Sequence, residues 1–173
     1  MSAREVLFDP SWRSCNAIQG GLVIGELHAQ AVAAVGGTPR TLHAHLLAGV
    51  VPGQVAQVTA LPDRIGNSSS VRAELSQNGM ICALAQILTM NRTGAAMWDE
   101  TMDLDRPHPD QGEPLVLPPD FVPFGQYVDI RALGLQRPLS GGGGPPRLTL
   151  ACRGGDILRH RGRSAVGARH APG

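Results

Sequence analysis

The sequence predicts an α+β protein in which one apolar helix is followed by a run of antiparallel strands. Three observations carry this. Residues 18–35 place Val23, Leu27, Ala31 and Ala34 at helical spacing, and after Gly20-Gly21 only Glu26, His28 and Gln30 are polar. Residues 69–76 alternate cleanly, with Val71, Ala73 and Leu75 on one face and Arg72, Glu74 and Ser76 on the other. Asn78-Gly79 is the strongest short hairpin signal in the chain and leads into a long apolar run over residues 80–90.

Taken in order, residues 4–9 offer a first strand. The helix follows at 18–35 and is stopped by Gly36-Gly37 with Pro39 behind them. A helix this apolar belongs inside something rather than on a surface. Residues 41–48 alternate Leu42, Ala44 and Leu46 against His43, His45 and Leu47. Residues 54–61 set Val55, Val58 and Ala60 against Gln54, Gln57 and Thr59, less regularly. Val50-Val51-Pro52-Gly53 and Leu61-Pro62-Asp63 mark the intervening turns. A curved antiparallel sheet wrapped round a single apolar helix is the hot-dog arrangement; another kind of α+β roll is the alternative.

Beyond residue 90 the character changes. Residues 93–120 read as a linker, because Asp99, Glu100, Asp103, Asp105, Asp110 and Glu113 are interleaved with Pro107, Pro109, Pro114, Pro118 and Pro119. Their spacing is not that of a calcium loop. Residues 121–135 look like a strand again, with Tyr127, Asp129 and Arg131 opposite Val128, Ile130 and Ala132. After Gly141-Gly-Gly-Gly-Pro-Pro146 the chain becomes rich in Arg and Gly and holds too little apolar surface to offset the entropy of ordering. The expected organisation is a first domain at 1–92, a linker at 93–120, a fragment at 121–151 and a disordered tail at 152–173.

Composition excludes several classes. The 173 residues carry a net charge of +1, too balanced for a nucleic-acid surface. No apolar run approaches the length of a membrane span, and residues 1–15 lack the apolar stretch of a signal peptide. A cytoplasmic protein is expected. Cys15, Cys82 and Cys152 form no C-x-x-C pair or metal-ligand spacing and read as reduced thiols. All 15 basic residues are Arg, and with 22 Gly and 14 Pro this is the composition of GC-rich coding DNA. No Gly-x-Ser-x-Gly elbow is present, which argues against a serine hydrolase.

Three local matches, in order and at compatible spacing, resemble the acyl-CoA thioesterase II family of double hot-dog proteins. Gln19-Gly20-Gly21 with Gly25 resembles its Gly-Gly-x-x-x-Gly helix start. Leu42-His43-Ala44-His45-Leu46-Leu47 before Pro52-Gly53 resembles its His-containing strand and following Pro-Gly turn. Gly66-Asn67-Ser68-Ser69-Ser70-Val71-Arg72 with Gln77-Asn78-Gly79 resembles its Gly-x-Ser-x-Ser-x-Arg strand and Gln-x-Gly turn. The likeness covers residues 12–90, and residues 121–140 look like the opening of that family's second hot dog.

The resemblance implies hydrolysis of acyl-CoA to a fatty acid and CoA, with no metal, cofactor or covalent intermediate, by a protein that pairs hot dogs into a homo-oligomer. It also implies a deficit. The family's second repeat supplies the Asp, Thr and Gln that activate water, and none can be placed here. A frameshift or gene decay near Gly141–Gly144 is the expectation that would account for that loss and for the tail. The alternative reading is a non-catalytic acyl-CoA-binding or structural remnant. A hot-dog dehydratase would need an Asp and a His five residues apart near the helix start, and no such pair lies there.

The candidate residues each have two readings. Gly20 and Gly21 would let a thioester approach the N–H groups of the helix start, or would only permit tight packing. His43 has the acid–base range for catalysis, or is a strand-face residue like His45; the pair alone lacks a third metal ligand. Asn67, Ser68 and Ser70 would bond the thioester, pantetheine or nucleotide, or form a bend and a polar strand face.

Overall fold

The computed structural model describes residues 2–91, 108–136 and 147–154. They fall into two compact units. The first is described over residues 2–91 and 119–124, the second over 108–118, 125–136 and 147–154. The acidic stretch at 93–107 and the tail at 155–173 lie outside the described residues.

The first unit opens with β1 (Ser2–Leu7), then a short ribbon of β2 (Arg13–Ser14) and β3 (Ala17–Ile18). Helix α1 (Gly20–Val35) follows, then β4 (Thr38–Leu46), β5 (Val55–Arg64), β6 (Ser68–Gln77) and β7 (Met80–Met90). Five of these strands form one antiparallel sheet in the order β1-β5-β6-β7-β4. The helix begins two residues later than its periodicity suggests, because Ile18 is held in the ribbon opposite Arg13. It ends at Gly36, whose positive φ of 72° breaks the helical turn and whose N–H closes on the Val32 carbonyl at 2.7 Å.

The alternation read from the sequence becomes an inside and an outside. Ala56, Val58 and Ala60 of β5, Val71, Ala73 and Leu75 of β6, and Ala83, Ala85 and Ile87 of β7 are all buried on one face. Val23, Leu27 and Ala31 of α1 pack onto that face. Five of the nine sheet positions are Ala, so the helix can seat close to the backbone, while Leu75, Ile87, Val58 and Val71 fill the gaps between. Polar groups tie the helix to β1: Gln30 Nε2 donates to Ser2 Oγ at 2.8 Å, and Arg4 pairs with Glu26. No helix among the described residues is long and apolar enough to cross a membrane.

Two local expectations change. Leu61-Pro62-Asp63 is not a turn: β5 runs through it to Arg64, with a register shift between Pro62 and Arg64. Beyond Ala60 the neighbour β1 has ended, so β5 is an edge there, and the missing proline N–H costs no ladder bond. The reversal falls instead at residues 65–67. Asn78 and Gly79, at φ 53° and 76°, make the expected two-residue hairpin between β6 and β7.

The second unit holds a three-stranded sheet of β8 (Glu113–Pro114), β9 (Val128–Gln136) and β10 (Arg147–Gly154) in the order β10-β9-β8, paired antiparallel. Residues expected to begin a strand at 121 do not. Pro123–Tyr127 forms a 3₁₀ turn, since Pro fixes φ and offers no N–H to a ladder, and the strand starts at Val128. The last strand continues past Ala151 to Gly154.

Leu27 is fully buried in the centre of the helix–sheet contact. Leu27→Ala is expected to destabilise the protein by about 2–5 kcal/mol, through lost burial and a cavity that the close-packed alanines cannot fill. Urea denaturation of the two proteins measures this directly.

Candidate functional site

Gln19 caps the helix. Its side-chain oxygen accepts from the Leu22 N–H at 2.8 Å, and its own N–H donates to the Trp12 carbonyl at 3.0 Å. Its carbonyl accepts from Leu22 and Val23 N–H at 3.0 and 3.3 Å. Among the described residues, the N–H groups of Gly20 and Gly21 donate to no backbone or side-chain acceptor. Two open donors therefore stand at the positive end of a 16-residue helix.

An open cleft of about 340 Å³ lies beside them, lined by Ile18, Gly20, Val23, Leu46, Leu47 and Val50 among others. This is within the size range of small-molecule sites, and the lining is almost wholly apolar. A side chain at either glycine would displace the far end of a neighbouring side chain. A Cβ on Gly20 would sit 2.6 Å from Leu46 Cδ1, and one on Gly21 would sit 2.9 Å from Gln19 Oε1, in the way of the cap.

The cleft is positioned by a residue outside it. Gln77, at the end of β6, is buried, and its amide spans the loop after β4. Its Oε1 accepts from Val51 N–H at 2.8 Å, while Nε2 donates to the Val51 and Gln54 carbonyls at 3.1 and 3.2 Å. The adjacent Val50 carbonyl accepts from Ile18 N–H at 2.9 Å. The hairpin end thus holds the loop, and the loop holds the residue just before the helix. The sequence reading took Gln77 only as part of a turn. A long polar side chain directly before a tight hairpin, facing the same side as Val71, Ala73 and Leu75, is the signal that was available.

The structure does not bring the other candidate residues to this point. His43 lies on the exposed face of β4, opposite Gln86 of β7, with the sheet between it and α1. His45 shares that face, its ring centroid 4.9 Å from that of His43. Asn67, Ser68 and Ser70 gather at the far end of α1. Asn67 accepts from Asn91 N–H at 2.9 Å, Ser68 pairs with Met90, and Met90 and Asn91 in turn lie against Gly37. The helix separates that end from Gly20 by about 24 Å at 1.5 Å per residue. Ser70 Oγ accepts from Gln86 Nε2 at 2.6 Å, and Gln86 also reaches Asp63, which holds Arg72 at 2.8 Å. These side chains form a cross-strand polar network on the outer face.

A second, shallower cleft of about 580 Å³ runs past Pro10, Ser11, Arg13 and Asn16. Arg13 donates to the Asp120 carbonyl at 2.8 Å. Nearby Asp9 is held below its ordinary pKa by hydrogen bonds from the Ser11 hydroxyl and the Ser11 N–H, against a smaller opposing effect of burial. Among the described residues no group of three or more His, Cys, Asp or Glu is arranged to hold a metal ion.

No protein-family model matches the chain. No curated protein matches it either. Solved structures do. A conserved hot-dog protein of unknown function from Alicyclobacillus acidocaldarius superposes with a TM-score of 0.66 at 17% identity, over 78% of this chain and 51% of its own. A candidate thioesterase from Novosphingobium aromaticivorans gives 0.67 at 16% identity, over 76% and 55%. A candidate thioesterase II from Thermobifida fusca gives 0.67 at 18% identity, over 76% and 49%. The fold is the hot dog, and the chain spans about half the length of these proteins.

Gln77→Leu is expected to cost about 1–3 kcal/mol, because it leaves the Val51 and Gln54 backbone groups without partners in a partly buried loop. Urea unfolding measures the loss. The depressed pKa of Asp9 adds stability that is complete above its unfolded value near 3.8 and is lost as pH falls through the lower folded value. The stability gap between wild type and Asp9→Asn should therefore shrink as pH falls below 3.8, which a urea series across that range tests.

Proposed function

We propose that this chain is an acyl-CoA thioesterase-like protein whose thioester-binding point is the start of α1. The observation that carries the reading is the conjunction of two open N–H donors at the helix start, on Gly20 and Gly21, with an apolar cleft that Gly20 lines. Thioester hydrolysis requires a polarised carbonyl. The carbonyl oxygen would accept from these donors, and the negative charge that grows on it as water adds would be stabilised by the same groups and the helix dipole. Collapse of the adduct breaks the C–S bond and releases CoA and a fatty acid. The acyl chain would lie along Val23, Leu46 and Val50.

The reading includes pairing of two copies. β4 is an edge strand, Leu46 and Leu47 are 54% and 57% exposed, and Gly25, Ala29 and Ala33 of α1 lie exposed beside no strand of their own sheet. If β4 pairs antiparallel with its copy, the Leu46 end of one strand meets the Thr38 end of the other. The helix start of one protomer then comes beside the Asn67–Ser70 end of the partner. Of the second group only Asn67, a helix length from Gly20 in one chain, would come beside that site in a homo-oligomer, because Ser68 and Ser70 lie on the outer face of β6. His43 stays on the outer face in that arrangement and is assigned no contact with a thioester bound at the helix start.

A second reading is favoured by one observation: no Asp, Glu or His is among the residues lining the cleft. A chain that binds acyl-CoA without hydrolysing it fits that lining. The second unit, with its three-stranded sheet, is proposed to be an incomplete second repeat.

The test is CoA release from a short-to-long acyl-CoA panel, read by chromatography so that the protein's own thiols do not interfere, alongside calorimetric binding. Turnover that Gly20→Val abolishes and His43→Ala leaves unchanged is the expected result, since Val at position 20 would drive into Leu46 and close the cleft. Binding without turnover selects the second reading. Absence of both rejects the site.

A further inference from the structure

We propose that His43 and His45 form a two-imidazole chelate for a divalent transition-metal ion on the outer face of β4. The inference is independent of the thioester site. Strand periodicity puts residues two apart on one face, so the two rings stand side by side, both residues exposed. Their centroids are 4.9 Å apart and their planes cross at 83°. Two imidazoles bound to one ion at nitrogen–metal distances of roughly 2.0–2.1 Å, with a ligand angle between square and tetrahedral, hold their centroids roughly 4.6–5.3 Å apart. The rings already stand at that separation. The Cα positions beneath them are held by continuous pairing of Thr41–Leu46 with Ala83–Leu88, so binding asks only for side-chain rotation.

The surroundings do not oppose a cation. Gln86 stands across from His43, and Leu84 across from His45. The next strand contributes Arg72 to the first row, and its charge is paired with Asp63 at 2.8 Å. It contributes Glu74 to the second row, two strands from His45 with Leu84 between them. Neutral imidazole selects nickel, copper and zinc, whereas magnesium and calcium prefer oxygen ligands. No third His, Cys, Asp or Glu joins the pair among the described residues, so water fills the remaining positions and the ion exchanges freely.

The competing account of the spacing is a plain edge-to-face ring contact with no ligand affinity. Calorimetric titration of the full, tag-free chain with NiCl₂ at pH 7.5 separates the two. The expected result is a binding event that His43→Ala and His45→Ala each weaken by about tenfold or more, the least that loss of even a supporting group costs a metal site. His28→Ala, on α1, should leave it unchanged, and MgCl₂ should give no heat. Both variants sit on an exposed strand face, and circular dichroism confirms that they fold. Nickel binding that survives either substitution, or a wild-type chain that binds no nickel, overturns the proposal.

Discussion

The close seat of one helix on an alanine-rich sheet face governs everything else in this protein. Helix α1 brings Val23, Leu27 and Ala31 to the contact, with Leu22, Ala34 and Val35 partly buried beside them. With three Phe, two Trp and one Tyr in the chain, no large ring is available to fill a wide gap. Ala56, Ala60, Ala73, Ala83 and Ala85 remove that gap by letting the helix approach, and the aliphatic side chains between them then reach full packing. A larger residue at any of these alanines would lift the helix and lose contacts along its length.

That seat also decides where chemistry can occur. The regular pairing of β4 ends at Leu46, where the N–H groups of Leu47 and Ala48 both turn onto the Cys82 carbonyl of β7, and a cleft lies between this bend and the helix start. The open donors of Gly20 and Gly21 stand at this end because every helix leaves its first N–H groups unpaired, and Gly20 lines the cleft. What makes this end different is the Gln77 amide. It fixes the Val50–Gln54 loop against the helix start and converts a surface loop into a wall of the cleft. A buried amide that serves three backbone groups ties position to folding, because moving the loop would strand all three.

Much of the candidate site was legible in the sequence, but in pieces. The glycine pair announced itself by its place before an apolar helix. The alternation in residues 41–48 correctly put His43 and His45 on the face opposite Leu42, Ala44 and Leu46. Alternation carries no information about which end of the sheet a residue occupies. Asn67, Ser68 and Ser70 read either as contacts for the thioester, pantetheine or nucleotide or as a bend and a polar strand face, and the antiparallel path sets them at the other end of α1 from the glycines. Gln77 read as punctuation because its three partners are 23–26 residues away in sequence.

Local chemistry by itself determined the helix, the four strands after it and the Asn78-Gly79 hairpin, since periodicity, propensity and turn geometry act within a few residues and need no distant partner. Only the tertiary structure decided that β4 lies outside β7 and β1 outside β5, because edge placement follows from which long-range pairings close the helix into its seat. It also decided the fate of Pro62. A proline reads as a turn until one knows that the neighbouring strand has already ended at Ala60, where a missing N–H costs nothing. The hot dog was thus written in short-range pattern, while the location of its cleft and of its open edge rested on contacts between residues far apart in the chain.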